Sequence, residues 1–195
     1  STSEVMVSID DVLEKNAKEG LEKELKEIQK LPEAEGLKFE SKSFHGETSS
    51  VINQLSEKEN VDIIVMGTQG ASGLEEVLVG SVTSSTVKKV NKPIIAIPSG
   101  AAYKQPKRII FAADFKKLKN EKELSAMRDI ALKFGASITI LNVLDEGEVT
   151  DVDEAFEGLK INKYLEGVNN NYEFVENDDV EEGISEFLSK RMQKW

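Results

Sequence analysis

Glycines that follow a β pattern are the residues of this sequence best suited to hold a ligand. Gly67 and Gly70 come directly after the apolar run at 61–66, and Gly80-Ser81 opens the next helical pattern. Gly67 and Gly70 allow the chain to turn tightly and to approach a ligand closely. Gly80 and Ser81 place backbone N–H donors and a hydroxyl at a helix N-terminus, where a phosphate is stabilised. The spacing Gly67-x2-Gly70-x9-Gly80-Ser81 therefore predicts an anion site built from backbone groups.

Two common phosphate-binding motifs do not fit this stretch. A Walker-type loop needs Gly-Lys-Ser/Thr at the helix start, and no lysine precedes Ser81 in register. A Rossmann fingerprint needs Gly-x-Gly-x-x-Gly, which does not occur here. The glycine spacing is therefore neither a Walker-type loop nor a Rossmann fingerprint.

Composition excludes several other kinds of site. The chain has 195 residues, no cysteine, one histidine and a net charge of −11. Cysteine nucleophiles and thiolate metal sites are thereby excluded, and a nucleic-acid partner is disfavoured because phosphate backbones need a positive surface. Acidic pairs such as Asp178-Asp179 and Glu181-Glu182 are expected at solvated helix starts rather than at a metal site.

The predicted location is the cytoplasm. No stretch approaches 18 consecutive apolar residues, and the N-terminus lacks the basic and then apolar pattern of a secretion signal. We therefore expect a soluble protein without a membrane partner.

The elements that must position the glycines alternate between strand and helix. Continuously apolar strands separated by helices indicate a parallel sheet that is covered on both faces, hence a doubly wound α/β fold. An alternating pattern at 37–44 further predicts a half-exposed edge strand. The predicted apolar strands are 61–66, 94–97, 108–113 and 138–143, with a short strand at 172–175 and helices that begin near residues 11, 51, 81, 120, 152 and 180.

The two halves of the chain look like an offset repeat. Helix, strand, turn and helix occur in this order at 11–59 and again at 152–193. A segment with a proline at each end, Pro98 to Pro106, separates the halves. We predict a first partial domain at 1–99, a linker at 100–106 and a second partial domain at 107–195.

The glycine stretch resembles the ATP-binding signature of the universal stress protein family. The resemblance includes Met66 before Gly67 and the run Lys92-Pro-Ile-Ile-Ala-Ile-Pro98 after the glycines. It implies a parallel sheet of order 3-2-1-4-5, dimerisation and binding of ATP, with or without Mg²⁺. The offset repeat implies a tandem member truncated at both ends. The family resemblance implies a regulatory stress-response module rather than a metabolic enzyme.

The same resemblance implies individual site residues. The family's first strand ends in an aspartate that contacts adenine, which Asp114 matches, and its second strand lines the same pocket at the position of Val143. No catalytic residue and no metal ligand is implied. The implied nucleotide-binding residues are Gly67, Thr68, Gln69, Gly70, Gly80, Ser81, Val82 and Thr83.

The sequence departs from the family in one respect, because the glycine motif and Asp114 belong to different partial domains. Together the halves supply strands four and five (61–66, 94–97) and strands one to three of a single sheet. The strand at 37–44 is then surplus, and an unpaired edge strand pairs readily with another chain. We therefore predict a homodimer, in which elements can be exchanged between the copies.

Two other functions remain open at this point. A slow ATPase or nucleotidyl-transfer activity is the enzyme alternative, although no general base, lysine or arginine lies within the motif. The structural alternative is a dimerisation module that has lost nucleotide binding. In that case the glycines only form turns and Asp114 only ends a strand.

Overall fold

The computed structural model of the chain describes residues 9–68, 80–114, 124–145 and 160–192. The described helices are α1 (Ile9–Ile28), α2 (Thr48–Lys58), α3 (Ser81–Lys89), α4 (Ser125–Phe134), α5 (160–164) and α6 (Val180–Met192), with a short 3-10 helix at Pro32–Ala34. The strands are β1 (Ile64–Gly67), β2 (Ile94–Ile97), β3 (Arg108–Ala112), β4 (Ser137–Leu144) and β5 (Asn170–Glu176). Helix α1 ends before Pro32, because the residue before a proline is disfavoured in the helical conformation.

The chain divides into two compact units. The first contains the described residues within Ser1–Val61 and Gly80–Asn91, and therefore α1, α2 and α3. The second contains those within Asp62–Val79 and Lys92–Trp195, and therefore all five described strands with α4, α5 and α6.

In the first unit, α2 packs against α3 through small polar side chains. Ser49 and Ser56 of α2 are buried, as are Thr83 and Thr86 of α3. The Ser56 hydroxyl donates to the Asn53 carbonyl at 2.9 Å, and the Thr86 hydroxyl donates to the Val82 carbonyl at 2.7 Å. Since these hydroxyls bond to their own helices, they can be buried without an unsatisfied donor.

An ionic cap holds the start of α2 to the end of α3. The Glu47 carboxylate accepts from the backbone N–H of Ser49 at 3.1 Å and of Ser50 at 2.9 Å, and it also accepts from both hydroxyls. Lys89 Nζ donates to Glu47 Oε2 at 2.8 Å. The pKa of the Glu47 carboxyl therefore lies well below its ordinary value, first because Lys89 donates to it and then because Ser49 and Ser50 do.

The Glu47→Gln substitution is expected to lower the melting temperature at pH 7. A carboxyl whose folded-state pKa is depressed stabilises the fold above its unfolded pKa of about 4.3, and this stabilisation is lost as the pH falls through the folded value. Wild type and the variant should therefore converge as the solution is acidified. Circular dichroism melts at pH 7, 5 and 3 measure this convergence. Glu57→Gln, at an exposed position of the same helix, is the control, and a Glu47→Gln melt equal to wild type at pH 7 contradicts the prediction.

The predicted edge strand at 37–44 was wrong. These residues are assigned to no strand, and Leu37, Phe39 and Phe44 are exposed by 61%, 36% and 52%. Alternation of apolar and polar residues favours an extended backbone, but a strand exists only where a second strand completes its hydrogen bonds. No described residue does so for this segment.

The second unit contains two parallel sheets. β1 pairs with β2, from Ile64 opposite Ile94 to Gly67 opposite Ile97. β3, β4 and β5 form a three-stranded sheet with β4 in the centre. In the predicted order 3-2-1-4-5, β3, β4 and β5 correspond to strands one, two and three, and β1 and β2 correspond to strands four and five. Every observed pair is therefore one that this order requires. A pairing of β1 with β3 would join the two sheets, and it is not among the hydrogen-bonded pairs of the described strands, so the full order and the two partial repeats remain predictions.

Helices lie on both faces of the three-stranded sheet. Ile138 and Ile140 of β4 are fully buried in a core with Leu124, Ala131 and residues of α5. α6 packs against β4 and β5, and a side chain at Gly183 of α6 would meet Val143. Because Val143 and Ile140 differ in parity along the strand, these helices cover opposite faces. The predicted doubly wound α/β class is thereby confirmed.

Candidate functional site

Two predicted site residues, Asp114 and Val143, lie at the carboxyl ends of β3 and β4. β3 pairs with β4 up to Ala112 opposite Leu141, and the Ala113 N–H extends this ladder by donating to the Leu141 carbonyl at 2.8 Å. If this register continues for two more residues, Asp114 lies opposite Val143. Asp114 is exposed at this edge. Carboxyl edges are where open α/β sheets bind ligands.

The buried amide of Asn142, which was not among the predicted site residues, forms a hydrogen bond to the main chain at this edge. Asn142 is only 6% exposed, and its Nδ2 donates to the Ala113 carbonyl at 2.8 Å. This bond fixes the main chain of β3 one residue before Asp114. Asn142 Oδ1 has no hydrogen-bond partner among the described residues. The signal was available as a single amide in the otherwise apolar end of β4, Ile140-Leu-Asn-Val-Leu144.

The side chain of Val143 is used for packing. A Cβ built on Gly183 would lie 2.9 Å from Val143 Cγ1 and 3.2 Å from Asn177 Cβ. Gly183 is buried, so α6 approaches β4 closely because this position has no side chain. Because the Val143 side chain packs against α6, a ligand at this position would contact its main chain.

The first part of the glycine motif lies at the end of β1. Gly67 is the last residue of the strand, and Thr68 is only 5% exposed. The Thr68 N–H donates to the Ile97 carbonyl at 2.9 Å, so the pairing with β2 continues through this residue. Gln69 and Gly70 lie outside the described residues.

The second part of the motif begins α3. Gly80 is the N-cap residue, with φ −63° and ψ 158°, and as a glycine it has no side chain with which to cap the helix. Val82 is 43% exposed, whereas Thr83 is buried. At α2 and α6, by contrast, Glu47 and Asp179 cap their own helices, the latter by accepting from the Glu182 N–H at 2.9 Å. The start of α3 is therefore not occupied by a carboxylate of its own N-cap residue.

The described residues thus define three local groups. Asp114 and Val143 lie at the edge of the three-stranded sheet, and Gly67 and Thr68 lie at the end of β1 in the same unit. Gly80 to Thr83 belong to the other unit. No group of three or more metal-binding side chains occurs in the part of the chain that the structure describes. None of the helices seen there combines the length and apolar composition that crossing a bilayer requires.

Comparison with known proteins identifies the family. Residues 2–98 match the model of the universal stress protein family. Two universal stress proteins of Methanocaldococcus jannaschii are similar to the chain. MJ0531 is 34% identical over 91 residues, which is 47% of this chain and 50% of that protein. MJ0577 is 37% identical over 83 residues, which is 43% of this chain and 47% of that protein. The chain spans about half the length of these curated relatives.

The fold is also that of a solved family member. The crystal structure of a universal stress protein from Archaeoglobus fulgidus DSM 4304 matches with a TM-score of 0.69 and 25% identity, over 97% of this chain and 68% of that chain. Residues 2–98 therefore belong to the universal stress protein family. The resemblance based on the glycine spacing is thereby confirmed.

Proposed function

We propose that this universal stress protein binds ATP, with or without Mg²⁺, as a regulatory module that acts as a homodimer. The observation that carries the proposal is the start of α3, where Gly80-Ser81 opens a nine-residue helix whose N-cap residue has no side chain. The phosphates bind the backbone of Gly67, Gly70, Gly80 and Ser81. Thr68, Gln69, Val82 and Thr83 are their neighbours in the motif.

Electrostatics favour phosphate at the Gly80 helix start. The N-terminus of a helix carries a partial positive charge and N–H groups that point along its axis. Gly80 contributes no side chain that would fill the space in front of these groups. Such a site binds an anion without a lysine or arginine, consistent with the absence of both between Gly67 and Thr83.

The proposed adenine site is the edge formed by the carboxyl ends of β3 and β4. In this proposal the register of β3 and β4 continues past Ala112 and Leu141, so that Asp114 lies beside Val143. A carboxylate and main-chain groups at one edge can accept and donate hydrogen bonds to a purine ring. The bond from Asn142 to the Ala113 carbonyl holds this edge rigid, which lowers the entropic cost of binding.

The Gly80→Asp substitution is expected to weaken ATP binding at least about tenfold, equivalent to about 1.4 kcal/mol. The φ and ψ of Gly80 are accessible to any residue, and aspartate is a preferred N-cap. The new carboxylate should therefore cap α3 and repel phosphate while the helix is retained. Isothermal titration with ATP and Mg²⁺ measures the affinity, and circular dichroism confirms that the helix is intact.

The matched control is Gly80→Asn, which also caps the helix but carries no charge. It should retain more affinity than Gly80→Asp. If Gly80→Asp binds ATP like wild type, the placement of the phosphates is wrong. If wild type itself shows neither heat nor a thermal shift with ATP, the structural alternative of a dimerisation module replaces the proposal.

A further inference from the structure

The face of the three-stranded sheet on which α6 packs changes from apolar to polar along the strands. Towards the carboxyl ends, Val143 lies against Gly183 of α6. Each polar residue lies in β4 in phase with Val143, or opposite such a residue in the register, so all share its face. Nearer the amino ends this face carries a group that we call the polar strip: Arg108, Ser137, Thr139, Asn171 and Glu173.

Hydrogen bonds along the polar strip converge on one carboxylate. The Thr139 hydroxyl donates to Asn171 Oδ1 at 2.9 Å, and Asn171 Nδ2 donates to Glu173 Oε1 at 3.4 Å. Arg191 of α6 donates to the same Glu173 oxygen from Nη2. A guanidinium and an amide together have more N–H donors than one carboxylate can accept. The strip is therefore richer in hydrogen-bond donors than in acceptors.

The guanidinium of Arg191 is held in place by two contacts. Besides its ion pair with Glu173, its Cζ lies 5.4 Å from the centre of the Phe187 ring, one turn earlier in α6. The Phe187 side chain is buried, and a guanidinium at this distance from a ring is attracted by its π electrons. An arginine that is already oriented loses less conformational entropy when it binds a ligand.

Arg108 brings a second guanidinium to the polar strip. Its side chain is exposed at the start of β3. Desolvation, and then repulsion by the nearby Arg191, lower the pKa of the Arg108 guanidinium. Arginine nevertheless stays protonated in proteins, so two like charges lie near each other in a chain whose net charge is −11. An anion bound by both groups would offset their repulsion.

We propose that the polar strip binds a phosphate group, either inorganic phosphate or a phosphate monoester, between the guanidinium groups of Arg108 and Arg191. Each guanidinium offers a fork of N–H donors that matches two phosphate oxygens. The Ser137 hydroxyl, opposite Arg108 in the register, adds a neutral donor on the same face. Phosphate suits this donor set better than a second carboxylate beside Glu173 would, because it carries more charge and more acceptor oxygens. The site lies within the second unit and is distinct from the phosphate site proposed at Gly80.

Titration with inorganic phosphate at low ionic strength tests the site. The Nε–H resonances of Arg108 and Arg191 in nitrogen-15 NMR spectra should shift and saturate in the wild type. Arg108→Gln should weaken phosphate binding at least about fivefold, measured at the Arg191 resonance, because one charged fork of donors is lost. Arg108 is exposed, so circular dichroism should show the folded spectrum for this variant.

Glu173→Gln distinguishes an anion site from a purely structural ion pair. Removal of this carboxylate releases donors of Arg191 and removes a charge that repels phosphate, so the affinity for phosphate should rise about threefold or more. A partly unfolded variant could not gain affinity, so misfolding cannot produce this result. Unchanged or weaker binding in Glu173→Gln would contradict the proposal.

Lys107→Gln is the matched control. It removes one positive charge next to Arg108 in the chain, but alternation along the strand places Lys107 on the other face of the sheet. Phosphate affinity should therefore stay within about twofold of the wild type. Equal weakening by Lys107→Gln and Arg108→Gln would indicate diffuse attraction and overturn the site. The absence of saturable shifts in the wild type, or equally tight binding of acetate, would overturn it as well.

A second ligand identifies the source of the phosphate group. Tighter binding of O-phosphoserine than of inorganic phosphate would assign the polar strip to phosphate monoesters, and weaker binding would assign it to the free ion. The resonances of Arg108 and Arg191 report on the strip itself, so the result does not depend on whether ATP binds at the glycine motif. Failure of this proposal is therefore distinguishable from failure of the proposed function.

Discussion

Substitution of Asn142 by aspartate is expected to destabilise the fold by about 3–5 kcal/mol at pH 7. The change is isosteric, but it replaces the amide donor to the Ala113 carbonyl with an ionised group at a position only 6% exposed. A buried charge without a partner is far more costly than a lost neutral hydrogen bond. Urea unfolding followed by circular dichroism measures the difference.

The pH dependence of this variant identifies the mechanism. Burial raises the pKa of the new carboxyl above its unfolded value of about 3.9. The folded state then binds the proton more tightly than the unfolded state, so the deficit is present above the folded pKa and shrinks as the pH falls. The protonated carboxyl can also donate to the Ala113 carbonyl. Unfolding at pH 4.5 should therefore show a smaller deficit than at pH 7.

Asn169→Asp is the matched control, because Asn169 is exposed and only its carbonyl bonds to the sheet, accepting from the Ile138 N–H at 2.9 Å. Its effect should stay within about 0.5 kcal/mol. Should Asn142→Asp prove as stable as wild type at pH 7, the amide does not hold the end of β3. In that case the support proposed for Asp114 is also lost.

Replacement of two helical glycines by alanine is expected to have opposite effects. Gly183→Ala should destabilise the protein by about 1–3 kcal/mol, the usual cost of overpacking. The added Cβ would lie 2.9 Å from Val143 Cγ1, and a β-branched side chain in a strand has little freedom to move away. A Cβ at Gly20 in α1 would meet nothing within 4 Å, so Gly20→Ala should increase helix stability by up to about 1 kcal/mol.

A double-mutant cycle checks the cause of the Gly183 effect. In a Val143→Ala background, Gly183→Ala should cost less than it does in wild type, because the closest obstructing atoms are gone. Thermal and urea unfolding of the four proteins measure the interaction. Equal costs in the two backgrounds would show that the helix does not rest on Val143.

Local sequence patterns determined the elements of this protein. Proline and glycine end helices through local stereochemistry, as at α1, which ends before Pro32, and at α4, whose C-cap Gly135 has φ 64°. Continuous apolar runs predicted strands covered on both faces, as β4 proved to be. The glycine spacing at 67–81 identified the family. All of these depend on neighbours in the chain and on general stereochemistry.

Only the tertiary structure decided which distant groups meet. Glu47 and Lys89 are 42 residues apart, and Asn142 and the Ala113 carbonyl are 29 apart. No periodicity encodes such partners, because a hydrogen bond between elements depends on how whole helices and strands pack. The same reason explains the error at 37–44, where the residues have a strand's alternation but no described residue pairs with them. The sequence specified what each segment can form, and the packing determined which of those possibilities found a partner.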